Sequence, residues 1–468
     1  MSHITSLCLQ KNAPKETKTI HLVQEDNFDV WLKGQPQPVQ NWCLTNEFKG
    51  KKGSYLEIPN KDGKADDVIA VIGEDKNLYA LSSLAGTFEG HFVLNHEAVD
   101  LSEDDVVHLC LGWALGSYQF SSYKSEQKTK TSVLIIPENI DDTRVIALAR
   151  GVYKTRDLVN TPPNDMMPQH LEAEMKELAS EFGADINVVL DEDLIKNDYH
   201  AIYAVGQASV HRPRLLDLTW GQKNHPKITL VGKGVCFDNG GLNIKTGSSM
   251  SLMKKDMGGA AQVIGLALMI MSLKLPIRLR VLVGAVENAI SGNAYRPSDI
   301  IKTKKGLSVE ITNTDAEGRL VLSDCLALAC EEKPELIADF ATLTGAARVA
   351  LGPDLPPIYS DYENLALNLV EAGDRVQDPV WHMPLWDNYN SYLESPVADL
   401  ANSASTGFGG SITAGLFLKN FVDSDIPWVH IDCYAWTPKA RAGQPLGGEM
   451  QGPRALLEVL EKTYAKKK

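Results

Sequence analysis

The sequence predicts a two-domain α/β protein. A smaller α/β domain comes first, followed by a larger one whose mixed, largely parallel sheet is covered by helices on both faces. Three observations predict it. The chain has 468 residues, more than one compact core accommodates. From about residue 165 onward, near-continuous apolar runs of strand length alternate with apolar stretches of helix length, the pattern of strands buried on both faces. Before that point the signals are shorter and mixed, and one long amphipathic segment ending in consecutive prolines separates the two regions.

In the first region, Val68–Ile72 and Ser132–Ile136 read as buried strands, and Pro137-Glu-Asn ends the second. Between them, Asp104–Gly116 reads as a helix with an acidic start that suits the helix dipole. Residues 1–140 are assigned to this domain. Asp141–Asn160 reads as one helix: Val145, Ala149, Val152 and Val159 keep close to a 3.6-residue period, and Asp142 can cap the start. Thr161-Pro-Pro-Asn164 stops it, because each proline biases its predecessor out of the α region. Residues 141–164 are therefore the connecting helix and linker, and 165–468 the larger domain. There the strand candidates are Lys227–Val231, Arg278–Val286, Leu336–Leu343 and Trp428–Cys433. The helix candidates are Gly258–Leu273, Arg319–Glu331, Gly410–Val422 and Pro453–Lys462, the last with proline in its first turn. Lys466–Lys468 reads as a frayed, solvated end.

Composition excludes several classes of function. Asp plus Glu outnumber Lys plus Arg by 60 to 46, a formal charge of −14, which repels phosphate backbones and argues against nucleic acid as the principal partner. The longest apolar runs, such as Ile264–Ser272, fall well short of the ~20 residues of a membrane span. Met1–Ser6 carries no basic stretch leading into an apolar one, so no secretory signal is expected. Seven cysteines, an odd number without a CxxC pair, fit free thiols in a reducing compartment and a cytoplasmic protein. Cys236 lies in the most informative loop. It reads as a small buried hydrophobe, with a nucleophilic role as the alternative.

Ligands of open α/β sheets gather beyond the carboxyl ends of the strands. After Val231 the chain reads as a glycine-rich loop with Lys233, Asp238 and Lys245. Asp256 opens the helix at Gly258, and Asp315 and Glu317 lead into the next. Four carboxylates in one cleft require cationic compensation, and Lys233, Lys245 and Arg319 do not suffice alone. Carboxylate oxygens suit Mg²⁺, Mn²⁺ and Zn²⁺, and four without a histidine suggest two ions sharing bridging oxygens. Taken singly, each segment also has a plain structural reading, as a glycine turn, a helix-start aspartate or solvated loop charges.

Asn313-Thr-Asp-Ala-Glu-Gly-Arg-Leu320 resembles the octapeptide of the leucyl aminopeptidase family of dinuclear-metal peptidases. Lys233–Lys245 and Lys255–Ala261 resemble that family's two other site segments, in the same order. The resemblance covers about residues 150–468 and implies a catalytic C-terminal domain that removes the N-terminal residue of peptides with a free amine. It implies that Asp238 and Glu317 bridge two divalent ions, Mn²⁺ or Zn²⁺. Asp315 would complete one site, and Asp256 with a neutral Lys233 the other. It further implies that Lys245 polarises the scissile carbonyl and that Arg319 holds a bicarbonate that shuttles a proton. Met253, Asn313, Thr342, Gly345 and the segment after Cys433 would surround the first substrate side chain, and the chain would assemble as a homo-hexamer of two stacked trimers. In that last segment Tyr434 and Trp436 stand where many members carry small residues, which places leucine preference in question and keeps a narrow dipeptidase as an alternative. The run Ala435–Pro445 resembles bacterial members. Some members of the family also bind DNA as regulators, a role the net charge disfavours here.

Overall fold

The computed structural model describes residues 8–60, 63, 65–125 and 132–465. The Met1–Ser6 and Lys466–Lys468 segments read above lie outside the described residues. The chain divides into two compact units, Met1–Tyr153 with Lys439–Pro445, and Lys154–Pro438 with Leu446–Lys468.

The first unit is built on a six-stranded sheet of β1 (Leu9–Gln10), β2 (Thr17–Gln24), β3 (Tyr55–Pro59), β4 (Ala65–Ile72), β5 (Gly90–Asn95) and β6 (Ser132–Ile135), in the order β1-β6-β5-β2-β4-β3. Only the edge strand β3 runs antiparallel to its neighbour. Helix α1 (Glu103–Ser117) starts where the acidic run predicts it. Ser102 caps it, exchanging hydrogen bonds with Asp105 in a capping box. Trp113 of α1 is fully buried and spends its indole N–H on the Ser132 carbonyl at 3.3 Å.

Helix α2 spans Asp142–Asn160, one residue shorter than the Asp141–Asn160 read from the sequence, and its cap is not Asp142. The carboxylate that accepts the Thr143 N–H, at 3.0 Å, belongs to Asp141. A cap must stand just before the helix to reach the free N–H groups of the first turn, and Asp142 is already helical. Residues of α2 through Tyr153 belong to the first unit, and those from Lys154 to the second.

The second unit contributes β7 (Asp185–Leu190), β8 (Arg214–Trp220), β9 (Lys227–Asp238), β10 (Arg278–Asn288), β11 (Ile300–Lys302), β12 (Ser308–Glu310), β13 (Leu336–Ala341), β14 (Pro357–Tyr359), β15 (Trp381–His382), β16 (Leu400–Ala401) and β17 (Trp428–Asp432). Eight of these form one mixed sheet in the order β15-β14-β17-β13-β9-β10-β8-β7, and β11-β12-β16 form a small separate one. The central four, β17, β13, β9 and β10, are mutually parallel, so their carboxyl ends share an edge. The register aligns those ends: Asp238 pairs with Asn288, and Ala341 with Asp432.

The sequence reading ended the 227–231 strand at Val231 and began a loop there. The strand instead continues to Asp238. Glycine at 232 marks a close approach here, because a Cβ would stand 2.7 Å from the Cα of Ala260 in helix α3 (Gly258–Ser272). The next residue, Lys233, points to the opposite face, as strand geometry demands. There Gly318 of helix α4 (Glu317–Cys330) makes room for it, a Cβ at 318 falling 2.4 Å from Lys233 Cε. The two helices therefore cover opposite faces of the sheet. Both are buried along nearly their whole length, so neither shows the polar stripe of a surface helix.

Candidate metal centre

The site lies at the shared carboxyl edge. Asp238 ends β9. Asp256 sits in a short 3₁₀ turn, Met253–Met257, that leads into α3, so it precedes the helix rather than opening it. Asp315 lies in the loop before α4, and Glu317 in the first turn of that helix, which begins two residues earlier than the sequence suggested. Lys233 Nζ stands 2.8 Å from Asp256 Oδ2 and 2.9 Å from Glu317 Oε1, and donates to the Thr342 carbonyl at 3.1 Å. Lys245 Nζ stands 2.8 Å from Asp238 Oδ2 and 2.6 Å from Asp315 Oδ1. Asp238, Asp315 and Glu317 each offer a carboxylate oxygen within 4.8 Å of the others.

Two lysines do not balance four carboxylates at this density. Burial, then the nearby Asp256, pushes the Asp238 carboxyl up to about 6. Burial, with Asp238 adding to it, pushes Glu317 well above the usual carboxylate range. Burial opposes the charge on Lys233, but Asp256, Glu317 and Asp238 outweigh it and hold that ammonium well above its ordinary value. Lys245 is held up the same way, chiefly by Asp238. Asp256 Oδ2 and Asp315 Oδ1 are buried, and each faces a lysine ammonium, at 2.8 and 2.6 Å. Clustered hard oxygens fit divalent cations, whose charge would replace the Lys233 proton and add to Lys245 as the compensation.

The frame around the cluster is polar and buried. Asp238 Oδ1 accepts the Gly240 N–H at 2.8 Å and the Asn288 side-chain amide at 2.8 Å; the same amide also donates to the Thr314 carbonyl at 3.1 Å. Thr342 donates its hydroxyl to Asp256, with both the carbonyl and Oδ1 at 2.9 Å. Asn402 holds the loop that carries Asp315. Its Oδ1 accepts the Thr312 and Asn313 N–H groups, and its Nδ2 donates to the Asn313 and Ala316 carbonyls. Asn313 in turn accepts the Asp315 N–H at 2.9 Å. Arg319 follows Glu317 on α4, is 8% exposed, and donates one N–H to the Asn402 carbonyl at 3.0 Å. Its Nε is buried without a partner, and burial lowers its pKa to about 10.

Tyr434 follows β17 and is half-buried. Gln451 Oε1 accepts its N–H at 3.1 Å and that of Ala435 at 2.8 Å, which fixes Ala435 at φ +54°. Lys255 Nζ lies 4.9 Å, and the Arg348 guanidinium 4.5 Å, from the centre of the Tyr434 ring.

Residues 153–457 match the family described as "Cytosol aminopeptidase family, catalytic domain", and residues 19–137 match "M17 aminopeptidase, N-terminal domain". The chain belongs to the cytosol aminopeptidase family. A crystal structure of cytosol aminopeptidase from Coxiella burnetii superposes with a TM-score of 0.94 at 43% identity, over 98% of this chain and 99% of that one. A probable cytosol aminopeptidase of Aquifex aeolicus is 36% identical over 452 residues, 92% of each chain. The bottromycin maturation enzyme BotP, solved in complex with Mn, superposes with a TM-score of 0.86 at 29% identity, over 96% of this chain and 99% of that one. As a member of the cytosol aminopeptidase family, the chain is a metal-dependent exopeptidase, a hydrolase acting on peptides. No helix among the described residues is long and apolar enough to cross a membrane.

Of the residues singled out in the sequence, Lys233, Asp238, Lys245, Asp256, Asp315 and Glu317 meet directly. Thr342 and Asn313 bond to members of that cluster. Arg319 lies two residues along the helix from Glu317. Met253 and Gly345 stand on the segments that carry Asp256 and Thr342, and Tyr434 is tied to Lys255 and Arg348 instead. All seven cysteines are buried, and burial pushes the Cys236 thiol well above its ordinary value, which removes the nucleophilic alternative. Asn288 and Asn402 are residues the sequence reading missed. The rule applied to the other strands, inspection of the carboxyl end, would have reached Asn288 had Arg278–Val286 been read two residues further.

Proposed function

We propose that the chain is a dinuclear-metal aminopeptidase that removes the N-terminal residue from peptides. The observation that supports it most is the convergence of four carboxylates and two lysines on one buried sheet edge. Asp238 and Glu317 would bridge two divalent cations, Mn²⁺ or Zn²⁺. Asp315 and its backbone carbonyl would complete one site, and Asp256 with Lys233 the other. Lys233 would serve as a ligand only as the neutral amine, its ammonium proton having gone to solvent. When bound, the ions supply an activated water and a Lewis acid at the scissile carbonyl. Lys245 remains charged and donates to the oxyanion that develops on the carbonyl oxygen. Arg319, with a buried N–H free of partners, would hold a bicarbonate that receives the proton of the attacking water. The acidic cluster would take the free α-amine of the substrate, which restricts the reaction to the first residue. Met253, Asn313, Thr342, Gly345 and Tyr434 would border the first side chain.

We further assign the protein to the cytoplasm, as its relatives' names indicate, and to a homo-hexamer. A panel of aminoacyl-amidomethylcoumarins assayed with Mn²⁺ or Zn²⁺, before and after dialysis against a strong chelator, tests the reading. Turnover that is lost on chelation and restored by metal is expected. Full activity in a preparation shown metal-free by elemental analysis refutes it.

A further inference from the structure

Lys255 is 4% exposed, yet its ammonium forms neither an ion pair nor a side-chain hydrogen bond with any described residue. The neighbouring carboxylate, Asp256, faces Lys233 at 2.8 Å. What Lys255 does face is the ring of Tyr434, and the guanidinium of Arg348 faces the same ring. Arg348 is exposed on the helix Gly345–Leu351 and likewise has no carboxylate partner. The Tyr434 hydroxyl bonds to no described residue either. In a chain of net charge −14, two cations gathered around one ring without an acid between them are a departure that needs a cause. A buried unpaired cation is costly, and a π-face compensates only part of that cost. The group stands one residue from Asp256 and two past the end of β17, at the edge where the carboxylate cluster lies.

We infer that Lys255 and Arg348, arranged around Tyr434, form a subsite for a carboxylate of the peptide substrate. The inference rests on the aminopeptidase reading. Two sources share this chemistry: the side chain of an acidic first residue, and the terminal carboxylate of a dipeptide. Both a lysine ammonium and an arginine fork bind a carboxylate with charge-assisted hydrogen bonds, and the free tyrosine hydroxyl adds a third donor.

The test compares kcat/KM within two matched substrate pairs, using the metal-loaded wild type, Lys255→Met and Arg348→Met. One pair is glutamyl- against glutaminyl-amidomethylcoumarin; the other is leucyl-glycine against leucyl-glycinamide. In at least one pair the wild type should favour the carboxylate by about tenfold or more, the scale of a hydrogen bond to a charged group. Each variant should bring that ratio toward one, mainly through KM, and Lys255→Arg should restore it. The pair that responds identifies the source. Arg348 lies on an exposed helix, so its variant reports even where Lys255→Met disturbs the adjoining turn. Ratios near one in the wild type, or ratios unmoved in both variants, overturn the inference. Hydrolysis of leucyl-glycinamide by the wild type tests the aminopeptidase reading separately.

Discussion

Asn288→Leu removes a side-chain amide that donates to a buried carboxylate and to one backbone carbonyl. Asn288 is fully buried at the end of β10, and its amide nitrogen donates to Asp238 Oδ1 at 2.8 Å and to the Thr314 carbonyl at 3.1 Å. Leucine has a similar volume and no donor. The substitution strands no partner: Asp238 Oδ1 keeps the Gly240 N–H, the Thr314 carbonyl keeps the Tyr295 hydroxyl at 2.7 Å, and Asn288 Oδ1 accepts from no group in the wild type. At the carboxylate the loss is therefore one charge-assisted bond, at the low end of the usual ~1.5–3 kcal/mol, or about tenfold in an equilibrium constant. Removing a group that orients a metal ligand typically weakens metal binding by about 10–100-fold. Asn288→Leu should thus raise the metal dissociation constant by about tenfold and leave the fold intact. Competition against a chromophoric chelator measures the first, and far-UV circular dichroism checks the second. Metal affinity within twofold of wild type in a folded variant would refute the claim that Asn288 positions Asp238 as a ligand.

Lys245→Ala should retain metal yet lose on the order of 10²–10³ in kcat, the scale of one oxyanion donor; steady-state kinetics within twofold of wild type would contradict that role. Asp256→Ala and Glu317→Ala should nearly silence turnover while circular dichroism stays native. Tyr434→Ala should raise kcat/KM for leucyl and phenylalanyl substrates relative to alanyl ones by roughly 10–200-fold at most, the scale of a fit difference in a side-chain pocket, and an unchanged ratio places the ring outside that pocket. Multi-angle light scattering should give a hexamer, a result that a fully active monomer would overturn.

The three segments that carry the cluster were legible in the sequence because chemistry confines them: glycine where helices press on the strand, acid where Lys233 and Lys245 are paired. Strands of the central sheet were legible for a related reason, since burial on both faces leaves continuous apolar runs such as Arg278–Val286. The β7 and β8 strands were not read. β7 is only half-buried, and Asp217 interrupts β8, where it pairs with Arg280 of β10 at 2.7 Å. The glycine-rich run after Val231 looked like a loop because glycine is common in turns; Gly240 and Gly241 do turn, at φ +92° and +64°, but Gly232 answers a packing demand from α3, which only the three-dimensional arrangement reveals. Asn402 was invisible for another reason. Its partners lie more than eighty positions earlier in the chain, and nothing local to Ala401-Asn-Ser marks it.

That distance also governs when the site can come into being. The loop that presents Asp315 is held from residue 402, and the Leu343 and Thr344 N–H groups beyond β13 are held by Asp432, at 3.0 and 3.2 Å. Closing such long spans costs chain entropy before any contact repays it, so the frame condenses late. A ribosome that has made every residue of the carboxylate cluster, through Glu317, still has the braces to synthesise. A fragment that stops after Glu317 therefore carries all six clustered side chains without the Asn402 and Asp432 groups that hold their surroundings.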